Sequence, residues 1–117
     1  LSSLKKLRNL SLGGNKISSV AALKNLTKLE SLNLYNNKIK DASSLSKLSD
    51  LTYLTLSGNL ISKASAVPSL KKLSTLDLSE NKLKDMSNFP SLPKLENLYL
   101  RENKLKSVSG ISSCNDP

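Results

Sequence analysis

Apolar residues recur along this chain with a period of 22 and no insertion. Leucines stand in register at Leu7, Leu29, Leu51, Leu73 and Leu95, then at Leu10, Leu32, Leu54, Leu76 and Leu98, then at Leu12, Leu34, Leu56, Leu78 and Leu100. Asparagine follows at Asn15, Asn37, Asn59, Asn81 and Asn103, and after it Ile17, Ile39, Ile61, Leu83 and Leu105. Three more apolar columns close the unit: Val20, Ala42, Ala64, Met86, Val108; Leu23, Leu45, Val67, Phe89, Ile111; and Leu26, Leu48, Leu70, Leu92, Cys114. The L-x-L part has the two-residue period of a strand with one buried face. The part after the asparagine has a three-residue period, which predicts a tight 3₁₀-like arc. Each unit is therefore expected to give one short strand, a turn and a returning arc, with successive units stacked as coils.

The recurring motif L-x-x-L-x-L-x-x-N-x-[IL] resembles the leucine-rich repeat, in five copies spanning the chain. Its short spacing is similar to the class shared by a regulatory subunit of protein phosphatase-1 and the bacterial internalins. It is unlike the longer ribonuclease-inhibitor repeats, which carry full helices on the convex side. The resemblance implies an α/β solenoid: a curved right-handed coil with a concave parallel sheet and convex 3₁₀ or irregular arcs. The expected organisation is a single array over residues 1–117 of about five repeats.

Each asparagine is expected to turn the chain inward and to bond backbone groups of its own coil and the next. Gly14 and Gly58 stand just before it, but Glu80 and Glu102 fill the same position elsewhere. On residue type alone that position is not expected to demand a positive φ. Pro68, Pro90 and Pro93 fall on the arcs, where no ladder N–H is lost. Leu1 and Leu4 match the last slots of a repeat, and Pro117 stands where a further leucine is due. The array is thus expected to lack capping units, as a fragment of a longer one or with caps supplied by a partner, and self-association through exposed end slots, or fraying of the ends, is the expected consequence.

Composition narrows the chemistry. The chain has no histidine, and its one cysteine, Cys114, sits in a leucine column, where a small buried apolar role is expected. These absences remove His-based nucleophile systems, His-containing metal sites and intrachain disulfides. No phosphate-cradling glycine motif is present, and Asp77 with Glu80 or Glu102 lacks acid-base partners. The expectation is a protein that is not an enzyme and needs no cofactor or metal. No apolar run approaches the roughly 20 residues of a membrane span.

Lys and Arg number 18 against 9 Asp and Glu, for a net charge of +9. That balance raises nucleic acid or an acidic protein as partner. Eight lysines (Lys5, Lys6, Lys24, Lys28, Lys47, Lys71, Lys72, Lys94) are placed on the convex side. Eight more follow the asparagines on one rim, among them the column Lys16, Lys38, Lys82 and Lys104, interrupted by Leu60. At strand spacing such neighbours repel by only about 1 kcal/mol in water, so the column reads as solvated filler or as an attractor of acidic partners. Only Arg8 and Arg101 lie near the concave strands, and basic residues are not interleaved with stacking aromatics as a nucleic-acid interface requires.

The outward strand positions form three columns: Asn9, Ser31, Tyr53, Thr75, Asn97; Ser11, Asn33, Thr55, Asp77, Tyr99; and Gly13, Tyr35, Ser57, Ser79, Arg101. All three tyrosines of the chain fall among these 15 of 117 positions, although tyrosine favours strands in any case. Tyrosine and arginine are the types most enriched in binding hot spots. Tyr35, Tyr53, Asp77, Tyr99 and Arg101 are therefore the candidate partner-binding residues. In a parallel sheet of this register Asp77, Tyr99 and Arg101 are expected to converge, opposite charges around an aromatic ring.

The function expected is a protein-interaction scaffold, with a folded protein held on the concave face. The resemblance implies two versions, an intracellular adaptor or regulatory subunit and a surface adhesin of internalin type. The alternative from another class is nucleic-acid or ribonucleoprotein association through the basic back and rim. Compartment is left open, with cytoplasm or nucleus preferred to a bacterial cell surface. The sequons Asn9-Leu10-Ser11 and Asn25-Leu26-Thr27 bear on this only in a secreted protein, and chance accounts for both.

Overall fold

The computed structural model describes residues 5–105. The expectations placed on Leu1, Leu4, Lys106, Val108, Ile111, Cys114 and Pro117 lie outside the described residues. Five short strands follow one another: β1 (Asn9–Ser11), β2 (Ser31–Asn33), β3 (Tyr53–Thr55), β4 (Thr75–Asp77) and β5 (Asn97–Tyr99). They form one parallel sheet in the order β1-β2-β3-β4-β5. The register is one repeat at every step, so Leu10, Leu32, Leu54, Leu76 and Leu98 lie side by side. A uniform repeat length is what makes this possible, because an inserted residue would turn the strand's leucines to the wrong face.

The ladder continues past each strand. Leu12 and Gly14 donate to the carbonyls of Asn33 and Tyr35, and the same pairs recur one coil on, to Glu80 donating to Arg101 at 2.8 Å. A second ladder runs beyond the turn, where Lys38, Leu60, Lys82 and Lys104 donate to the carbonyls of Ile17, Ile39, Ile61 and Leu83. The arcs are 3₁₀ at Ala21–Leu23, Ser43–Lys47 and Ala64–Ala66. Side-chain oxygens of Ser19, Asp41 and Asp85 accept the N–H two residues on, opening three of the arcs. Pro90 and Pro93 follow the Met86–Phe89 turn, where a longer 3₁₀ run would need their missing N–H groups. Among the described residues no helix is long and apolar enough to cross a membrane.

The core is one aliphatic stack: the slots from Val20 to Leu100 are buried, with Phe89 only partly so. Leu7, Leu10, Leu12 and Ile17 of the first coil are also partly buried, since among the described residues that coil has a neighbour on one side. The asparagine ladder differs from expectation in direction. Asn59 Nδ2 donates to Leu56 of its own coil and to Leu34 of the coil before it, and its Oδ1 accepts from Ile39, also of the coil before. Asn37, Asn81 and Asn103 repeat this pattern, bonding the preceding coil.

The position before each asparagine also corrects the sequence reading. Gly14, Asn36, Gly58, Glu80 and Glu102 all have positive φ, from 54° to 75°. At four of them the N–H is held in the ladder while the next residue swings into the core, and a left-handed residue makes that reversal. Tertiary bonding thus imposes on glutamate a conformation that glycine takes freely. Glu80→Gly is accordingly expected to stabilise the fold by roughly 0.5–1 kcal/mol, the relief of strain exceeding the added chain entropy. Gly58→Ala is expected to do the reverse, because a Cβ there runs into the Asn36 side chain as well as forcing alanine to positive φ. Urea unfolding of the two variants checks the pair, and equal effects in one direction would contradict it.

Candidate functional site

The L-x-L alternation sends every second strand residue to the concave side. Among the described residues, the large apolar side chains left exposed are Tyr35, Tyr53 and Tyr99, and all three stand on that side. Tyr35, Tyr53 and Asp77 line one hollow of about 280 Å³, together with Asn33, Thr55 and Ser57. Thr55 is its floor. It is 5% exposed, lies between Asn33 and Asp77 on the flanking strands, and has Tyr53 and Ser57 two residues to either side.

The residue types at the floor answer a backbone requirement. Asn33 Oδ1 accepts from Tyr35 N–H at 3.0 Å, Thr55 Oγ1 from Ser57 N–H at 3.3 Å, and Asp77 Oδ1 from Ser79 N–H at 2.9 Å. Each side chain caps an N–H that the parallel ladder leaves over. Asp77 is therefore held at one oxygen by the fold, and among the described residues no hydrogen bond or ion pair engages Oδ2.

Tyr99 lies beside Asp77 in the sheet register, and Arg101 lies beside Ser79, with its carbonyl bonded to Glu80 N–H. Neither lines the hollow, and in the described structure no ion pair joins Asp77 to Arg101. Thr55 and Ser79, taken from the sequence as outward positions, are buried. Sequence reasoning missed Gly13. A Cβ at Gly13 would collide with the Tyr35 ring, so the ring lies against the bare backbone of the neighbouring coil. The adjacent Gly13-Gly14 pair was the available signal, and only Gly14 is explained by the turn.

Lysines border the concave face. Lys16, Lys38, Lys82 and Lys104 follow the asparagines on one edge, all exposed. Lys6, Lys28, Lys72 and Lys94 stand three residues ahead of their strands, also exposed, at the turn leading back into the sheet. Asp50 interrupts this second column and pairs with Lys72 at 3.1 Å. Arg8 and Glu30 are 3.9 Å apart nearby. Both pairs are solvent-exposed and contribute little to stability.

A second hollow, of about 350 Å³, lies where the rim passes into the arcs of the third and fourth coils, lined by Ser62, Lys63, Ala64, Ser65, Lys84, Asp85, Ser87 and Asn88. The backbone N–H and hydroxyl of Ser87 hold the Asp85 carboxyl below the usual carboxylate range. No group of His, Cys, Asp and Glu suited to holding a metal occurs among the described residues.

A coil of parallel strands and 3₁₀ arcs bound by asparagine ladders defines a solenoid repeat protein. The chain matches the family described as Leucine Rich repeats (2 copies) over residues 5–47, 27–71, 49–91 and 71–113, and it belongs to the leucine-rich-repeat family. Its fold is similar to that of an internalin C2 of Listeria monocytogenes, with a TM-score of 0.79 and 29% identity. That match covers 99% of this chain and 54% of the other. An internalin F of the same organism is similar in fold at a TM-score of 0.51 and 24% identity, over 98% of this chain and 48% of that one. This chain therefore spans about half the length of these two structural neighbours. No curated protein matches it in sequence. The fold is that of a protein-interaction scaffold.

Proposed function

We propose that this chain is a binding module, not an enzyme, and that it holds a protein partner on its concave sheet through Tyr35, Tyr53, Asp77, Tyr99 and Arg101. One observation carries the reading: the exposed large apolar side chains among the described residues are three tyrosines, all gathered on one face. A rigid sheet holds such rings at little entropic cost, and tyrosine buries a large area while keeping its hydroxyl bonded. The convex lysines, by contrast, are long, solvated and scattered.

Tyr99→Ala and Arg101→Ala are each expected to weaken partner binding by about 2 kcal/mol or more. Lys24→Ala on the back should change it by less than about 0.5 kcal/mol. Calorimetric affinities of the three variants for the partner isolated with the wild-type chain make the test. Loss confined to the lysine variant would move the recognition surface to the basic back and favour an acidic or nucleic-acid partner. Of the adaptor and adhesin versions of the scaffold, the 29% identity to an internalin over nearly the whole chain supports the adhesin type.

A further inference from the structure

Resting on the concave-face reading, we propose that the hollow between Tyr35 and Tyr53 receives a lysine or arginine side chain of the partner, with Asp77 as its counter-ion. Among the described residues six line the hollow, and Asp77 is the one of these that carries a formal charge. Its Oδ1 is committed to Ser79 N–H, which fixes the carboxylate in place, while Oδ2 has no bond among the described residues.

The three classes of occupant differ in what they do to that carboxylate. An anionic side chain meets a like charge at close range. An apolar one covers the carboxylate without pairing it, and an unpaired charge taken from water is heavily penalised. A cation neutralises it with a charge-assisted hydrogen bond and lies against electron-rich tyrosine faces. The hollow is also the place where a net charge of +9 does not forbid this, because among the described residues no lysine or arginine of the chain lines it. Gly13 adds to the preorganisation, since the room it leaves lets the Tyr35 ring stand against the sheet as one wall.

The test uses two blocked peptides, acetyl-Gly-Gly-Arg-Gly-Gly-amide and its glutamate counterpart, titrated into the ¹⁵N-labelled chain. The arginine peptide should shift the amides of Thr55, Ser57 and Asp77, and the glutamate peptide should leave them in place. Asp77→Asn keeps an oxygen for Ser79 N–H and so preserves the floor, yet it should weaken the arginine peptide roughly tenfold, as loss of a charge-assisted bond implies. Tyr53→Ala should weaken it roughly two- to fivefold. An Asp77→Asn chain that titrates like wild type overturns the proposal, as do equal shifts from the glutamate peptide or none from arginine. Partner affinity separates this failure from that of the wider reading. If Tyr99→Ala loses the partner while Asp77→Asn binds it normally, the cationic occupant is wrong and the concave face stands. If neither substitution matters, both are wrong.

Discussion

Leu54→Ala is expected to lower the stability of the chain by about 2–5 kcal/mol, the range seen when a fully buried leucine leaves a cavity. Leu54 is fully buried at the centre of β3, with Leu32 on one side and Leu76 on the other in the sheet register. In a solenoid each coil contacts only its neighbours, so a cavity in the third coil weakens both of its interfaces. The backbone ladder on either side resists collapse, because Leu34 and Leu56 donate to the carbonyls of Thr55 and Asp77 and hold the coil spacing. Leu12→Ala should cost less, since Leu12 is already partly exposed in the first described coil. Thermal unfolding of both variants is the measurement. A shift of roughly ten degrees or more is expected for Leu54→Ala in a chain of this size, and an unchanged midpoint would contradict the stacked-coil core.

The order of those two effects could be written down from the sequence, because a constant repeat length fixes register and register fixes which leucines meet. What the sequence did not disclose is where tertiary bonding overrides residue type. Glutamate at Glu80 and Glu102 argued against a left-handed turn, yet both residues adopt one, and at Glu80 a ladder N–H on one side and an inward asparagine on the other leave no alternative path. Propensity was the weaker force there. The candidate site was legible to a similar depth. Alternation put Tyr35, Tyr53, Asp77, Tyr99 and Arg101 on one face, but depth depends on side-chain size differences between neighbouring coils, which a column-by-column reading does not compare. Thr55 is short between the taller Tyr53 and Tyr35, and a hollow forms over it. Asp77 likewise read as the charge partner of Arg101, whereas one of its oxygens caps the backbone and no ion pair joins the two among the described residues.

Asn59→Ala is the other substitution with a large expected effect, and it tests the device that joins the coils. Asn59 is 4% exposed. Its Nδ2 donates to the carbonyls of Leu34 at 3.0 Å, Leu56 at 2.9 Å and Ser57 at 3.4 Å. Its Oδ1 accepts from Ile39 N–H at 3.0 Å, and Ile39 is itself fully buried. Alanine would leave that N–H without a partner in a dry interior, while the carbonyls of Leu34 and Leu56 lose one bond each and keep those from Asn37 and Asn81 Nδ2. With about 1–3 kcal/mol for the unsatisfied N–H and about 1 kcal/mol for each of the two bonds lost at the carbonyls, a loss of about 3 kcal/mol or more is expected. Asn15→Ala supplies the control within the same column, because Asn15 is exposed and, among the described residues, bonds only its own coil, at Leu12 and Gly13. Its loss should stay near 1 kcal/mol, the worth of an ordinary hydrogen bond. Asn59→Asp separates donor from acceptor: the carboxylate still accepts from Ile39 but faces carbonyl oxygens, so burial and those oxygens raise its pKa in the folded state. The stability of that variant should therefore be greatest at acid pH, where the protonated group donates, and should fall as pH rises through the raised pKa. Urea midpoints of Asn59→Asp from pH 4 to pH 7 would decide it, and a midpoint that rises over that range would mean the amide's donors are not what binds one coil to the next.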